Sequence, residues 1–167
     1  MPVPSPWHTV PGSRFEALSG ALIPEHVAIQ SALDAIVQGI VQLGQGGQEA
    51  ALGARDVDFT RVHRAVEAMT EAEQSLLADM AVGHAALASG LAVLDGFAPE
   101  PCFADWWATE RVAMLALGDA IDLLPIPGSA SAFVPAWNAG VWLFRDQADA
   151  EHEAARGACI TQSTPAA

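Results

Sequence analysis

The sequence predicts an all-α protein, a bundle of four to five helices with a long central helix and a proline-rich N-terminal arm. Three observations carry that expectation. Apolar residues recur at three-four spacing over long stretches. No segment alternates apolar and polar residues with period two. Proline and glycine cluster at only a few places, which then read as the breaks between helices. A chain of 167 residues and 17.4 kDa has the size of one domain. The expected organisation is an extended arm over residues 1–22, a helical bundle over 23–160 and a flexible tail over 161–167.

The first 22 residues hold four prolines and two glycines and read as an arm that packs on the body through Trp7 and Phe15. Pro24 suits a first helical position, with Glu25 at the positive end of the helix. That helix is expected to run to Leu43. His26, Gln30, Asp34 and Gln38 recur every fourth residue and form its polar stripe. The glycine-rich stretch 44–53 then reads as a flexible connector. It resembles a phosphate loop only superficially, because no Gly-Lys-Ser/Thr follows and no strand precedes it.

Residues 57–95 are the most informative segment. Phe59, Val62, Val66, Met69, Leu76, Met80, Leu87, Leu91 and Leu94 keep a three-four spacing without a slip, and no proline interrupts them. One long helix is expected, with left-handed, bundle-like packing. A capping box at Thr70 and Glu73 is the one signal that would split it. Gly83, Ala86 and Gly90 form a small-residue flank. After a turn at 96–101, a central helix is expected over 103–124, with Phe103, Trp107, Glu110, Met114, Leu117 and Ile121 on its main face. Pro125, Pro127 and Gly128 end it. Pro135 then opens a last helix whose inner face is Trp137, Val141, Phe144 and Ala148.

Composition narrows the function classes. Seven arginines, no lysine and twenty acidic residues give a formal charge of −13. That balance argues against a nucleic-acid partner and against an anionic membrane surface. The apolar run 76–94 is long enough to span a bilayer, but it contains Asp79 and His84, so a membrane is not expected. Cys102 and Cys159 follow no metal or redox spacing and read as two reduced thiols, hence a cytoplasmic protein.

The sharpest chemical features are polar residues on apolar stripes. His84 lies among Leu77, Met80, Leu87 and Leu91, and Glu110 among Trp106, Trp107, Met114 and Leu117. The two helices are joined by a short turn, and both residues stand about twelve to fourteen positions from its centre. At about 1.5 Å per residue they fall at nearly the same level, so a buried His84–Glu110 contact is expected. Its ordinary role is a core pair that sets register. Its functional role would be a ligand or metal site, with His84 and Glu110 as ligands of a divalent ion, Glu73 as a third polar member and Trp107 as a wall. His63 and Glu67 read as a solvated face, and Asp149 and His152 as a surface ion-pair ladder. Glu25-His26, His63-x-x-x-Glu67 and His84 are similar to fragments of ferritin-like and hemerythrin-like bundles. The Glu-x-x-His and His-x-x-x-His motifs of such bundles are absent.

Two functions follow as expectations. The first is an acidic, soluble interaction protein without a cofactor: an adaptor, assembly chaperone or inhibitor-type partner that also self-associates. The second is a bundle, with or without enzymatic activity, that binds a metal or small ligand at the His/Glu site.

Overall fold

The computed structural model describes residues 13–124 and 130–163. The first twelve residues of the expected arm, the loop around Gly128 and the last four residues lie outside the described residues. Five α-helices follow in order: α1 (Ser13–Arg55), α2 (Phe59–Asp95), α3 (Ala104–Asp122), α4 (Ala130–Trp142) and α5 (Ala148–Ser163). A π-helical turn, Leu143–Gln147, joins the last two. Among the described residues there is no strand. The all-α expectation is met.

Two compact units divide the chain. One comprises residues up to His26 together with those from Leu87 onward; the other is Val27–Ala86. α1 and α2 each run through both.

The second unit is a helical hairpin with a regular seam. Three glycines of α1, Gly39, Gly46 and Gly53, stand seven residues apart. Each faces one residue of α2: Leu76, Met69 and Val62, also seven apart. A Cβ on Gly39 would stand 3.1 Å from Leu76 Cδ1, one on Gly53 would stand 3.0 Å from Val62 Cγ2, and one on Gly46 would overlap Met69. The helices therefore touch at every heptad with no side chain between them on the α1 side. This corrects the expected connector at 44–53, which is continuous helix through Arg55. Glycine costs about 1 kcal/mol in a helix interior, but here it permits close approach that a larger residue would block.

The reversal between the helices is tightly made. Val57 has φ 54°, the left-handed conformation that usually falls to glycine. Its N–H donates to Ala54 O, and Asp58 N–H donates to Gly53 O, which closes the end of α1. Asp58 Oδ1 then accepts from Arg61 N–H at 3.1 Å and caps α2. Arg61 reaches back across the hairpin with two bonds to Glu49, at 2.9 and 3.1 Å. That bonding and the guanidinium charge hold the Glu49 carboxyl below the ordinary carboxylate range.

α2 is one unbroken helix, as expected. Thr70 does not cap anything; its hydroxyl donates to Val66 O within the helix. The expected apolar stripe needs correction in its first half. Ala65, Ala72 and Leu76 are buried, while Phe59, Val66 and Glu73 are exposed. Val62, Met69 and Leu76 of the expected stripe do meet the glycines of α1; the buried face is completed by Ala65 and Ala72 in place of Phe59 and Val66.

The first unit is centred on α3, which packs against α4, the π turn and α5. Trp106, Glu110, Ala113, Met114, Leu117, Ala120 and Ile121 are all buried on it. Gly140 sets the approach of α4, since a Cβ there would stand 3.0 Å from Leu117 Cδ2. α1 starts inside the expected arm and runs through Pro24. Phe15, Leu18 and Leu22 are buried, so this stretch belongs to the core. Likewise α4 begins at Ala130, and Pro135 lies inside it. The buried positions Gly140, Phe144, Ala148 and the half-buried His152 follow one another four apart. An α-helix would rotate that face away; the wider π turn keeps it inward.

Cys102 and Cys159 form a disulfide, with Cα atoms 5.1 Å apart and a sequence separation of 57. This corrects the expected pair of reduced thiols. The bridge ties the approach to α3 onto α5.

Candidate functional site

Glu110 is the one buried charged residue among the described residues, at 1% exposure. The expectation that it lies in the core is met; the expected partner is not the one found. Its Oε1 accepts from Trp106 Nε1–H at 3.1 Å, one helical turn back on α3. Its Oε2 stands 2.8 Å from His26 Nε2, delivered by α1. Both carboxylate oxygens are thus partnered, as a buried carboxylate requires. The His26 side chain is 35% exposed, so this pair links the interior to water. The same ring packs on Phe144, with centroids 4.9 Å apart.

Trp106 extends the cluster. Its ring meets Phe15 at 5.4 Å and His152 at 4.8 Å, both edge-on. His152 Nε2 lies 3.0 Å from Ser19 Oγ, which joins α5 to α1. His152 is therefore no member of a surface ladder with Asp149. Burial, and secondarily the Arg156 charge, hold its pKa below the ordinary histidine value; Glu153, Asp149 and Glu110 oppose this.

The other sequence-predicted residues fall elsewhere. His84 is half-buried in the hairpin unit, and Glu73 is exposed there. Trp107 Nε1–H donates to Leu94 O at 2.9 Å, which satisfies a carbonyl near the end of α2. His63 and Glu67 form an exposed i,i+4 pair at 3.1 Å, as expected of a solvated face.

His26 was legible only in part. It follows Leu22 by four and precedes Ile29 by three, on the buried stripe of α1. The polar stripe His26-Gln30-Asp34-Gln38 competes with that reading, and an extended arm over 1–22 removes the half of the stripe that reveals it.

The chemistry open to this cluster is narrow. Ser19 and His152 have the spacing of a nucleophile and its base. Ser19 lies within α1, however, where backbone N–H groups are engaged in the helical ladder and offer no oxyanion donors. Among the described residues, no group of three or more His, Cys, Asp or Glu side chains is placed to hold a metal ion. The contacts of the cluster join α1 to α3 through His26 and Glu110, and α1 to α5 through Ser19 and His152. Comparison with protein-family models, with curated proteins and with solved structures returns no match.

A second feature lies on the hairpin. One side carries an open groove of about 800 Å³ lined by Gln42, Gln45, Glu49, Arg61, Arg64, Glu71 and Ser75 over a floor of Gly46, Ala65 and Ala72. Apolar side chains on the remaining hairpin surface stay in water: Val37 is 43% exposed, Val66 49% and Leu77 52%.

Proposed function

We propose that this chain is a non-catalytic interaction protein in which a disulfide-clasped helical unit carries a helical hairpin that docks partners. One observation supports the reading above the others. Within Val27–Ala86 eight apolar side chains are buried, three of them alanines, while eight large apolar side chains are exposed. A folded unit that exposes as much as it buries is half of a packing arrangement. The excess negative charge would steer a basic partner and repel an acidic one. No nucleic acid is proposed as partner, on the same charge argument.

A membrane is not proposed either. By length and composition α1 and α2 each contain a stretch able to cross one, and 28% of each stretch is buried. Exposed Asp34 on α1, and half-buried Asp79 and His84 on α2, would sit in hydrocarbon at high cost. The disulfide supports an oxidising compartment in place of the cytoplasm expected from reduced thiols.

The test is a photo-crosslinking residue placed at Leu77 or at Gln45 in the native host. A polypeptide captured from Leu77 but not from Gln45 is the expected result. Silence at Leu77 overturns the proposal. The alternative, a bound metal or small ligand, would centre on His26 and Glu110. Native mass spectrometry of protein purified without chelator reads it as retained mass.

A further inference from the structure

α5 is anchored differently from the helices it packs on. α1 sets Phe15, Leu18 and Leu22 into the core, and α3 sets Trp106, Met114, Leu117 and Ile121 there. Among the described residues, the last large apolar anchor along the chain is Phe144, in the π turn. Beyond it, the buried side chains of residues 148–160 are Ala148, Ala155 and Cys159. With His152 they run at spacings of four, three and four, so the four share one stripe. Of these only His152 is large. Its ring centroid lies 4.8 Å from that of Trp106 and 5.1 Å from that of Phe15, and its Nε2 stands 3.0 Å from Ser19 Oγ. Burial stabilises in proportion to apolar area, and alanine offers little. Ordering the sixteen residues of α5 costs conformational entropy at every one of them. Two alanines and a half-buried histidine offset only part of that cost. The Cys102–Cys159 bond supplies the remaining hold, and it lies toward the end of α5 far from the π turn.

We infer that α5 is a redox-released strap: two-electron reduction of this one bond frees α5, pivoting at the π turn, from a core that otherwise stays folded. The inference stands apart from the docking reading of the hairpin, since every residue it uses lies outside Val27–Ala86. The step is thiol–disulfide exchange with a dithiol reductant. One thiolate of the reductant attacks Cys102 Sγ, and Cys159 Sγ leaves with the bonding pair. The reductant's second thiolate then attacks the reductant sulfur of the mixed disulfide, and Cys102 Sγ leaves in turn. The two protons shed by the reductant end on Cys102 and Cys159, and the reductant keeps the disulfide. Cys102 is the point of entry because it sits in the turn before α3 at 9% exposure, against 1% for Cys159. Departure of α5 takes His152 off Trp106 and Phe15, both buried with it in place, and opens those rings to water. The remaining core keeps Met114, Leu117, Ile121 and the His26–Glu110 pair, none of which α5 supplies.

Chain entropy sets the size of the effect. With α4 and the π turn in place, the bond constrains only the stretch from Ala148 to Cys159. Closing a loop of about a dozen residues is worth roughly 100-fold in the opening equilibrium. The test is amide hydrogen exchange of the full chain, oxidised and after dithiothreitol. Exchange across 148–163 is expected to quicken about 100-fold on reduction, while the amides of α3 and of residues 14–26 keep their protection. Far-ultraviolet circular dichroism is expected to lose no more helix than the sixteen residues of α5. Cys102→Ser combined with Cys159→Ser is expected to match the reduced wild type without any reductant. Protection of α5 that survives reduction overturns the inference, because noncovalent contacts then hold the helix. Loss of protection across α3 and α5 together also overturns it, because the bond then supports the whole unit. So does a disulfide that dithiothreitol leaves intact in the folded protein, read by mass after alkylation with iodoacetamide.

Discussion

Consider Gly53→Ala beside Gly47→Ala. Both glycines lie in α1, six residues apart, and both lose about 1 kcal/mol relative to alanine in a helix interior. At Gly47 the new methyl meets nothing within 4 Å, so the full gain of roughly 1 kcal/mol is expected. At Gly53 the methyl would stand 3.0 Å from Val62 Cγ2, 3.1 Å from Val62 N and 3.2 Å from Arg61 Cβ. Two of those atoms belong to backbone or a β-carbon and cannot swing aside. Overpacking of this kind costs about 1–3 kcal/mol. Position 53 is also close to the helix end, where the propensity gain shrinks. The net expectation is a loss of about 1–2 kcal/mol for Gly53→Ala and a gain of roughly 1 kcal/mol for Gly47→Ala. The assay is urea unfolding followed by far-ultraviolet circular dichroism in dilute solution. Amide hydrogen exchange of residues 27–86 confirms that the change lies in the hairpin. If Gly53→Ala stabilises as much as Gly47→Ala, the two helices do not meet in the register described.

Four further outcomes are expected. Reducing the disulfide, or replacing both cysteines by serine, opens a 57-residue loop; chain entropy sets the loss at about 4 kcal/mol, read by guanidinium unfolding with and without reductant. His26→Leu leaves the Glu110 carboxylate with Trp106 alone and costs about 3 kcal/mol, whereas pairing it with Glu110→Leu recovers more than half; a double-mutant cycle that sums to zero coupling refutes the contact. The pKa of His152 is lowered on folding, so the unfolded chain binds the extra proton first. The stability from its neutral form is complete above the ordinary histidine pKa and falls away as pH drops toward the folded value; His152→Phe flattens that slope in thermal melts run across pH. Val57→Gly relieves a left-handed valine and raises stability by about 1 kcal/mol, and a loss on thermal denaturation contradicts the turn geometry.

Which parts of this were visible in residues alone has a physical pattern. The helical class and the single long α2 followed from an apolar phase that never slips between 59 and 94. Glu110 was visible as a core residue because its neighbours at three and four positions are large and apolar. What stayed hidden depended on close approach. Hydropathy rewards Phe59 and Val66, yet they stay exposed while Ala65 and Ala72 are buried beside Val62, Met69 and Leu76, the residues that meet Gly53, Gly46 and Gly39. Those glycines carry the strongest local vote for a break, and tertiary contact overrules it. His26 was obscured because proline at 24 suggested a helix start, while α1 had already run eleven residues. No spacing rule joins Cys102 to Cys159, since only the packing of α5 on α3 brings them together.

The glycine register has a further consequence, for how such a hairpin can change length. In each facing pair the two residue numbers keep a constant sum, so the helices count against each other from the turn at Val57. One residue inserted into α1 alone would turn everything beyond it by about 100° and present a side chain where the seam needs none. Seven residues added to each helix, carrying one more glycine on α1, would restore the match and push the tip out by about 10 Å. The hairpin is in effect a ruler graduated in heptads, and its reach can be altered only one graduation at a time.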